Sequence, residues 1–198
     1  KRKESNIKIL TENIKKRIEE KSGILSMGHQ GGICLVGHSQ IDNWDIKSIC
    51  GKIVRNCGIR GISSFEYNHY ILEQGRMDCA ENTYVVMHGT NDIVYDYSDR
   101  DIVLSIKATV EFIRKRKPIS RIIMLPVLHV NGRLDRNNQR IDALNVLLHD
   151  TFKEVEWVDC SEMDDEFGNL AQEFTIDGLH LSDAGYEKLH EIIDKAER

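Results

Sequence analysis

The stretch ICLVGHSQ, residues 33–40, contains the pattern that decides the fold. Its first four residues are apolar and include the β-branched Ile33 and Val36, and a glycine and three polar residues follow at once. A short apolar run that stops at a turn is typical of a strand buried on both faces. Such strands form parallel sheets covered by helices on each side. The stretch therefore predicts a buried strand with a polar turn at its carboxyl end.

Four more apolar runs of strand length occur along the chain, at residues 52–54, 84–87, 122–125 and 155–158. Segments between and after these runs have apolar residues at helical spacing, at Val103, Ile106, Val110 and Ile113, at Ile141, Leu144 and Leu148, and at Tyr186, Leu189 and Ile193. Alternating strand and helix patterns predict βαβ units, and hence a parallel sheet between two helical layers. The predicted fold class is α/β, a three-layer α/β/α domain.

The N-terminal segment has a different pattern. Ile7, Leu10, Ile14 and Ile18 are spaced as one stripe of an amphipathic helix among many Lys and Glu residues. We predict that residues 1–22 form this helix, as a possible linker from an upstream domain, and that residues 23–198 form the main domain. The first residue is Lys, which fits either a domain cut from a longer polypeptide or removal of a tag.

Composition excludes several functional classes. The 27 Lys and Arg residues against 32 Asp and Glu give a formal net charge of -5, which argues against nucleic-acid binding. No apolar run approaches the roughly 20 residues of a membrane helix, and no signal peptide begins the sequence. The 5 Cys residues are scattered without a C-x-x-C pair, which argues against a disulfide framework or a zinc site. We expect a cytoplasmic protein without a metal or cofactor, and its oligomeric state stays open.

Polar, glycine-containing turns follow three of the predicted strands, and a fourth polar motif precedes the last helix. They are residues 37–40 (GHSQ), 56–61 (NCGIRG), 88–92 (HGTND) and 177–182 (DGLHLS). Ligands of open parallel sheets bind at the carboxyl ends of the strands. The sequence therefore predicts that these turns form one site.

The residue types in these turns suit acyl transfer. The Ser39 hydroxyl is a weak nucleophile until an imidazole such as His180 removes its proton. Asp177, three residues before His180, can orient that imidazole and stabilise its charged form. The backbone N–H of Gly61 and the side-chain amide of Asn91 are candidate donors to an oxyanion.

Each motif alone has an ordinary structural explanation. Gly-x-Ser after a strand is common, Asn and Asp suit turns, and Asp177 and His180 could belong to a polar loop that enters a helix. Trp44, Phe65 and Tyr67 are candidates to line a pocket, and core packing explains them equally well. The functional interpretation depends on all four motifs occurring together in this order.

Together, the four motifs resemble those of the SGNH hydrolases, also called the GDSL esterase/lipase family. The resemblance covers about residues 33–197. It implies a flavodoxin-like five-stranded parallel sheet, with Ser39 as nucleophile, His180 as base and Asp177 as its partner. It also implies an oxyanion hole made of the Ser39 N–H, Gly61 and Asn91. His38 departs from the family, which usually has Asp there, and we favour a structural hydrogen-bonding role for it.

The resemblance implies a serine esterase, and the short chain favours a small acyl group such as acetyl on a carbohydrate hydroxyl. Within the family, the sequence resembles the O-acetylesterase domain fused to bacterial CMP-sialic acid synthetases, which implies an O-acetylated sialic acid as substrate. Three alternatives remain open at this point: a lysophospholipase or thioesterase, a sugar O-acyltransferase with the same triad, and a non-catalytic glycan-binding domain.

Overall fold

A computed structural model gives the structure of the protein and describes the backbone of residues 2–198 and the side chains of residues 7–198. The strands are β1 (Ile33–Gly37), β2 (Ser48–Ile49), β3 (Lys52–Asn56), β4 (Thr83–Met87), β5 (Arg121–Met124) and β6 (Glu156–Trp157). The α-helices are α1 (Arg2–Glu20), α2 (Ser22–Ser26), α3 (Ser39–Asp42), α4 (Ser64–Tyr67), α5 (Thr90–Val94), α6 (Asp99–Arg116), α7 (Asn138–Thr151) and α8 (Asp183–Glu197). A π-helical turn at Asn68–Leu72 and short 3-10 turns at Ser161–Met163 and Gln172–Phe174 complete the secondary structure of the described chain.

The strands form one six-stranded sheet in the order β2-β3-β1-β4-β5-β6. The five predicted strands are all present and parallel, and their order is that of the flavodoxin-like fold. The sixth strand, β2, pairs antiparallel with β3 at the edge. It has only two residues and is not part of an apolar run, so the sequence pattern did not predict it. The turn to β3 passes through Cys50 and Gly51, both with positive φ (46° and 74°).

Helices cover both faces of this sheet, which confirms the three-layer α/β/α prediction. Alternate residues of β1 point into two separate apolar cores: Cys34 and Val36 into the one that contains α1, α6 and α7, and Ile33 and Leu35 into the one that contains α8. The central strands β1 and β4 are buried at every position. The prediction of burial on both faces is wrong for β3, where Ile53 is 51% exposed because only the short β2 lies beyond it.

Helix α1 packs its predicted stripe only in part. Ile14 and Ile18 are buried in the same core as β1, Leu10 is partly buried there, and Ile7 is 48% exposed. The domain boundary at residue 22 and the upstream domain stay predictions. Within residues 2–198, none of the helices has the length and apolar character needed to cross a membrane.

His129 connects the loop after β5 to two other elements. Its Nδ1 lies 2.8 Å from the carboxylate of Asp164, and its Nε2 lies 2.7 Å from that of Asp142 on α7. The hydrogen bond to Asp164, opposed by burial and reinforced by Asp142, raises the pKa of His129 to about 9. The charged imidazole, which is hydrogen-bonded at both ring nitrogens, therefore stabilises the native state at neutral pH.

We predict that this stabilisation depends on pH. Because the pKa is raised on folding, the contribution is fully present below the unfolded pKa of about 6.5 and is lost as the pH rises through about 9. Relative to His129→Gln, the wild type should lose about 1 kcal/mol of unfolding free energy between pH 6.5 and 9.5 in urea denaturation. His69→Gln, at an exposed histidine on the π-helical turn, is the control. A difference between wild type and His129→Gln that stays constant with pH would contradict the prediction.

Candidate active site

The turn that presents Ser39 allows no side chain at the residue before His38. A Cβ on Gly37 would lie 2.4 Å from the carbonyl oxygen of Met87 on the neighbouring strand and 2.8 Å from Ile41. With glycine there, β1 can end tightly against β4, and α3 begins two residues later at Ser39. As the first residue of α3, Ser39 has a backbone N–H without an acceptor inside the helix.

Asp177 and His180 form the hydrogen-bonded pair that the sequence predicts. Oδ2 of Asp177 lies 2.7 Å from Nδ1 of His180, and Oδ1 accepts the backbone N–H groups of Leu179 and His180. Partial burial alone would raise the pKa of Asp177, but the hydrogen bonds from the His180 ring and from both N–H groups lower it to about 2. An ionised Asp177 fixes the proton of His180 on Nδ1 and leaves Nε2 as the basic nitrogen.

Gln40 joins the turn of Ser39 to the loop of His180. Its side-chain amide donates to the backbone carbonyl of Leu179 at 2.8 Å, and the backbone carbonyl of Gln40 accepts the hydroxyl of Tyr186 at 2.8 Å. The neighbours of Ser39 and His180 are thus in direct contact. Within residues 7–198, Ser39 Oγ and His180 Nε2 make no hydrogen bond to each other, as is common for nucleophile and base before substrate binds.

The loop after β3 packs against the same turn. The backbone N–H of Ile59 donates to the carbonyl of Gly37 at 3.0 Å, and a Cβ on Gly58 would lie 2.5 Å from the backbone nitrogen of Asp42. Gly61 follows with φ at 79°, and its N–H makes no hydrogen bond to any residue between 7 and 198. Gly61 therefore has a free N–H on a loop fixed against α3, as an oxyanion donor requires.

Asn56, at the start of that loop, bonds to both sides of the junction. Its amide nitrogen donates to the carbonyls of Ile41 and Trp44 at 2.6 and 3.1 Å, while its oxygen accepts the N–H of Gly58 at 2.9 Å. One side chain thus ties the end of β3 to the segment that follows Ser39.

Asn91 lies at the amino end of α5, after the left-handed Gly89 (φ 119°). Its amide nitrogen donates to the carbonyl of Ile62 at 2.9 Å, and its oxygen accepts the guanidinium of Arg136 at 3.0 Å. Because Ile62 directly follows Gly61, the two predicted oxyanion donors belong to one hydrogen-bonded unit. The structure thus brings together the loops of all five predicted residues, and their catalytic roles stay predictions.

His38 caps the short α3 helix. Its Nδ1 accepts the backbone N–H of Gln40 at 3.4 Å, and burial lowers the pKa of His38 well below its usual range. His88 itself is fully buried at the end of β4, and burial lowers its pKa to about 3. Burial therefore keeps both imidazoles neutral, and the bond of His38 to the N–H of Gln40 supports the structural role that we expect for His38.

Sequence reasoning missed two buried charged residues next to these loops. Asp92 accepts the N–H and the hydroxyl of Ser64, and burial raises the pKa of Asp92 to about 6 despite these bonds. Its position in the Gly-x-Asn-Asp motif was a signal that could have found it. Arg136 belongs to no motif and follows Asn91 by 45 residues in the sequence, so no pattern pointed to it.

A groove of about 640 Å³ lies on the outer side of His180. Its walls carry Trp44 and Tyr186, whose rings stack with centroids 5.7 Å apart, together with Lys47 and Glu187. Of the three aromatic candidates, only Trp44 lines this groove. Tyr67 is fully buried in the core and donates its hydroxyl to the carbonyl of Cys57, and Phe65 stacks on Tyr97. Among residues 7–198, no His, Cys, Asp and Glu side chains form a group of three or more that could hold a metal ion.

Comparison with known proteins gives matches to acyl hydrolases. The sequence model of the GDSL-like Lipase/Acylhydrolase family matches residues 44–188. This range includes four of the five predicted site residues, and it begins five residues after the fifth, Ser39. The fold is similar to that of a solved structure of a candidate platelet activating factor from Streptococcus pneumonia, with a TM-score of 0.85. The two chains are 24% identical, and the match covers 98% of this chain and 97% of that one.

Two further matches are informative. A GDSL-like lipase from Bacteroides thetaiotaomicron is 20% identical with a TM-score of 0.71, over 92% of this chain and 96% of that one. At these identities the structures show the fold alone. The N-acylneuraminate cytidylyltransferase of Escherichia coli O18:K1:H7 is 37% identical over 182 residues, which are 91% of this chain. The chain spans only 43% of the length of that enzyme.

The loop of His180 gives a test of the site geometry. A Cβ on Gly178 (φ 85°) would lie 1.9 Å from the carbonyl oxygen of Asn131, whereas Gly168 (φ 77°) has no atom within 4 Å of its Cβ position. We predict that Gly178→Ala lowers the melting temperature at least about twice as much as Gly168→Ala. Both substitutions strain a backbone with positive φ, but only the alanine at 178 also clashes with a neighbouring atom. Thermal unfolding followed by circular dichroism measures both variants. Equal decreases would contradict the placement of this loop.

Proposed function

Because the chain belongs to the GDSL-like Lipase/Acylhydrolase family, we propose that it is a serine esterase with Ser39 as nucleophile, His180 as base and Asp177 as its partner. The observation that carries this proposal is the 2.7 Å bond between Asp177 and His180 on a loop that Gln40 fixes beside Ser39. A serine hydroxyl, an imidazole and a carboxylate are the components of nucleophilic acyl transfer, and the three residues lie on neighbouring loops.

In the proposed reaction, Ser39 Oγ attacks the ester carbonyl carbon while His180 Nε2 takes the hydroxyl proton. Asp177, ionised because its pKa is near 2, stabilises the imidazolium that forms. The negative charge that develops on the carbonyl oxygen is held by the N–H groups of Ser39 and Gly61 and by the amide of Asn91. His180 then gives its proton to the departing alcohol. Water attacks the acyl-enzyme by the same path, releases the acid and regenerates Ser39.

We further propose that the acyl group is acetyl and that the alcohol is a carbohydrate hydroxyl. The groove beside His180 supports a sugar, since it combines the partly buried ring of Tyr186, backed by the 6% exposed Trp44, with the polar side chains of Lys47, Glu187 and His190. Aromatic faces with a few polar groups are suited to bind and orient an amphipathic ligand.

The proposed substrate within this class is an O-acetylated sialic acid. Support comes from the 37% identity to an enzyme named for N-acylneuraminate, which is itself a sialic acid. The cytoplasmic location and the absence of nucleic-acid and membrane partners stay predictions from the sequence.

The esterase proposal predicts hydrolysis of p-nitrophenyl acetate that depends on Ser39. Ser39→Ala should lower kcat/KM by at least about 10³-fold, because the nucleophile is lost while the donors to the oxyanion remain. Ser26→Ala, at an exposed serine on α2 outside the groove beside His180, is the matched control and should retain activity. The release of p-nitrophenol is followed spectrophotometrically. Equal rates for wild type and Ser39→Ala would refute the esterase assignment and favour a binding domain of this fold.

The substrate proposal predicts a preference for acetyl over longer acyl groups. We expect kcat/KM for p-nitrophenyl acetate to exceed that for the octanoyl ester by at least about tenfold, and O-acetylated sialic acid to be hydrolysed faster than an acetylated neutral sugar. Released acetate is measured with added acceptor sugar as a control, because an acyltransferase would transfer the acetyl group instead of releasing it. A preference for octanoyl esters would favour a lysophospholipase or thioesterase.

A further inference from the structure

We propose that Arg136 is a positioning residue of this site, which holds the amide of Asn91 in the one orientation that can stabilise an oxyanion. The inference rests on the proposed esterase function and adds a residue that none of the four sequence motifs contains. Arg136 precedes α7 and lies far from Ser39, His180 and Asp177 in the sequence.

Arg136 is enclosed by the beginning of α5. Its side chain is only 5% exposed, and its Nε donates to the carbonyl and the hydroxyl of Thr90 at 3.0 and 3.1 Å. Its Nη2 donates to Oδ1 of Asn91 at 3.0 Å, and its Nη1 bonds to Asp135 at 2.5 Å. The guanidinium thus has a counterion and bonds to two consecutive residues at the point where α5 begins.

These contacts determine which end of the Asn91 amide faces the oxyanion hole. A guanidinium has five donors and no acceptor, so the Asn91 atom that faces Arg136 must be the oxygen. The carbonyl of Ile62 only accepts, so the atom that faces it must be the nitrogen. Both partners select the same orientation, in which the second N–H of the amide stays free for the substrate.

Without Arg136, only the single bond to Ile62 resists rotation of the amide. A rotated amide would place its oxygen near the developing oxyanion, where two partial negative charges repel each other. The loss would affect the transition state more than the bound ester, because the charge on the carbonyl oxygen is largest in the transition state. We therefore expect Arg136 to act on kcat and to leave KM almost unchanged.

The chain offers a matched control for a purely structural role. Arg140 on α7 also holds the α5 region, since it donates to the carbonyls of Ile93 and Tyr97 at 3.2 and 2.6 Å and to Asp99 at 3.2 Å. It does not contact Asn91. Loss of either arginine removes an anchor of this segment, but only loss of Arg136 frees the amide.

The experiment compares Arg136→Met with Arg140→Met in the hydrolysis of p-nitrophenyl acetate by the full chain. Arg136→Met should lower kcat by about 10²-fold with KM within about threefold, whereas Arg140→Met should change kcat by less than about threefold. Combining Arg136→Met with Asn91→Ala tests the route: once the amide is gone, loss of Arg136 should lower kcat by less than about threefold.

Chemical rescue distinguishes positioning from misfolding. Guanidinium chloride at low millimolar concentration should raise the kcat of Arg136→Ala at least about tenfold. The same additive should leave the kcat of Arg140→Ala and of Ser39→Ala unchanged. Guanidinium has the same charge and planar donors as the missing group, so it can occupy the place next to Asn91.

Each result of these measurements has a defined meaning. Three outcomes with an active wild type would overturn the role of Arg136 and leave the esterase proposal intact. They are equal losses of kcat in Arg136→Met and Arg140→Met, fully multiplicative losses in the double variant, and no rescue by guanidinium. A wild type without hydrolysis that depends on Ser39 would overturn both proposals.

Discussion

The parallel pairing of β1 with β4 is the constraint on which the site depends. The two strands pair over five residues, from Ile33 with Thr83 to Gly37 with Met87, so they end side by side. The chain after each strand then enters a short helix, α3 with Ser39 and α5 with Asn91. A change of register by one residue would exchange the two buried faces of β1 and place each set of side chains in the core that is packed for the other set. The relative position of Ser39 and Asn91 is therefore fixed by the core.

Most of the bonds that assemble the site are made by neighbours of the reactive residues. Gln40 bonds to the residue before His180, Ile59 bonds to the residue at the end of β1, and Asn91 bonds to the residue after Gly61. Gln40 and Ile59 are buried, where hydrogen bonds hold geometry firmly. His180 and Asp177 keep 32% and 42% exposed side chains. A rigid frame around a partly open carboxylate–imidazole pair suits the proposed hydrolysis, in which the site must admit both an ester and water.

The sequence patterns predicted the parts of the fold that depend on local periodicity and turn chemistry. Fully buried strands such as β1 and β4 are apolar throughout, and the motifs around Ser39, Asn91 and His180 begin where those runs stop or where α8 begins. Contacts between distant segments were not predictable. Arg136 lies in a loop without periodic pattern, and only the folded chain shows that it bonds to Asn91. The two-residue strand β2 is likewise defined by its pairing with β3 and not by its composition.

Helix α1 shows how far the support of the site extends beyond the motifs. The fully enclosed carboxylate of Asp42, at the end of α3, accepts hydrogen bonds from Arg17 in the last turn of α1, from Lys21 directly after that helix, and from the backbone N–H of Arg60. Burial alone would raise the pKa of Asp42, yet the bond from Arg17 and the charge of Lys21 lower it, so the group stays ionised.

Helix α1 also contacts the loop of Gly61 directly. Leu10 and Ile14 lie over Gly61, at 3.2 and 3.7 Å from the position of its missing Cβ, and Lys21 donates to the carbonyl of Gly58 at 2.7 Å. A buried carboxylate left without its cationic partners is destabilised by roughly 3–5 kcal/mol. Displacement of α1 would thus strain Asp42 and loosen the loop of Gly61 together. The helix that precedes the family-matched region therefore acts as a part of the proposed active site's frame, and the geometry around Ser39 depends on where α1 is docked.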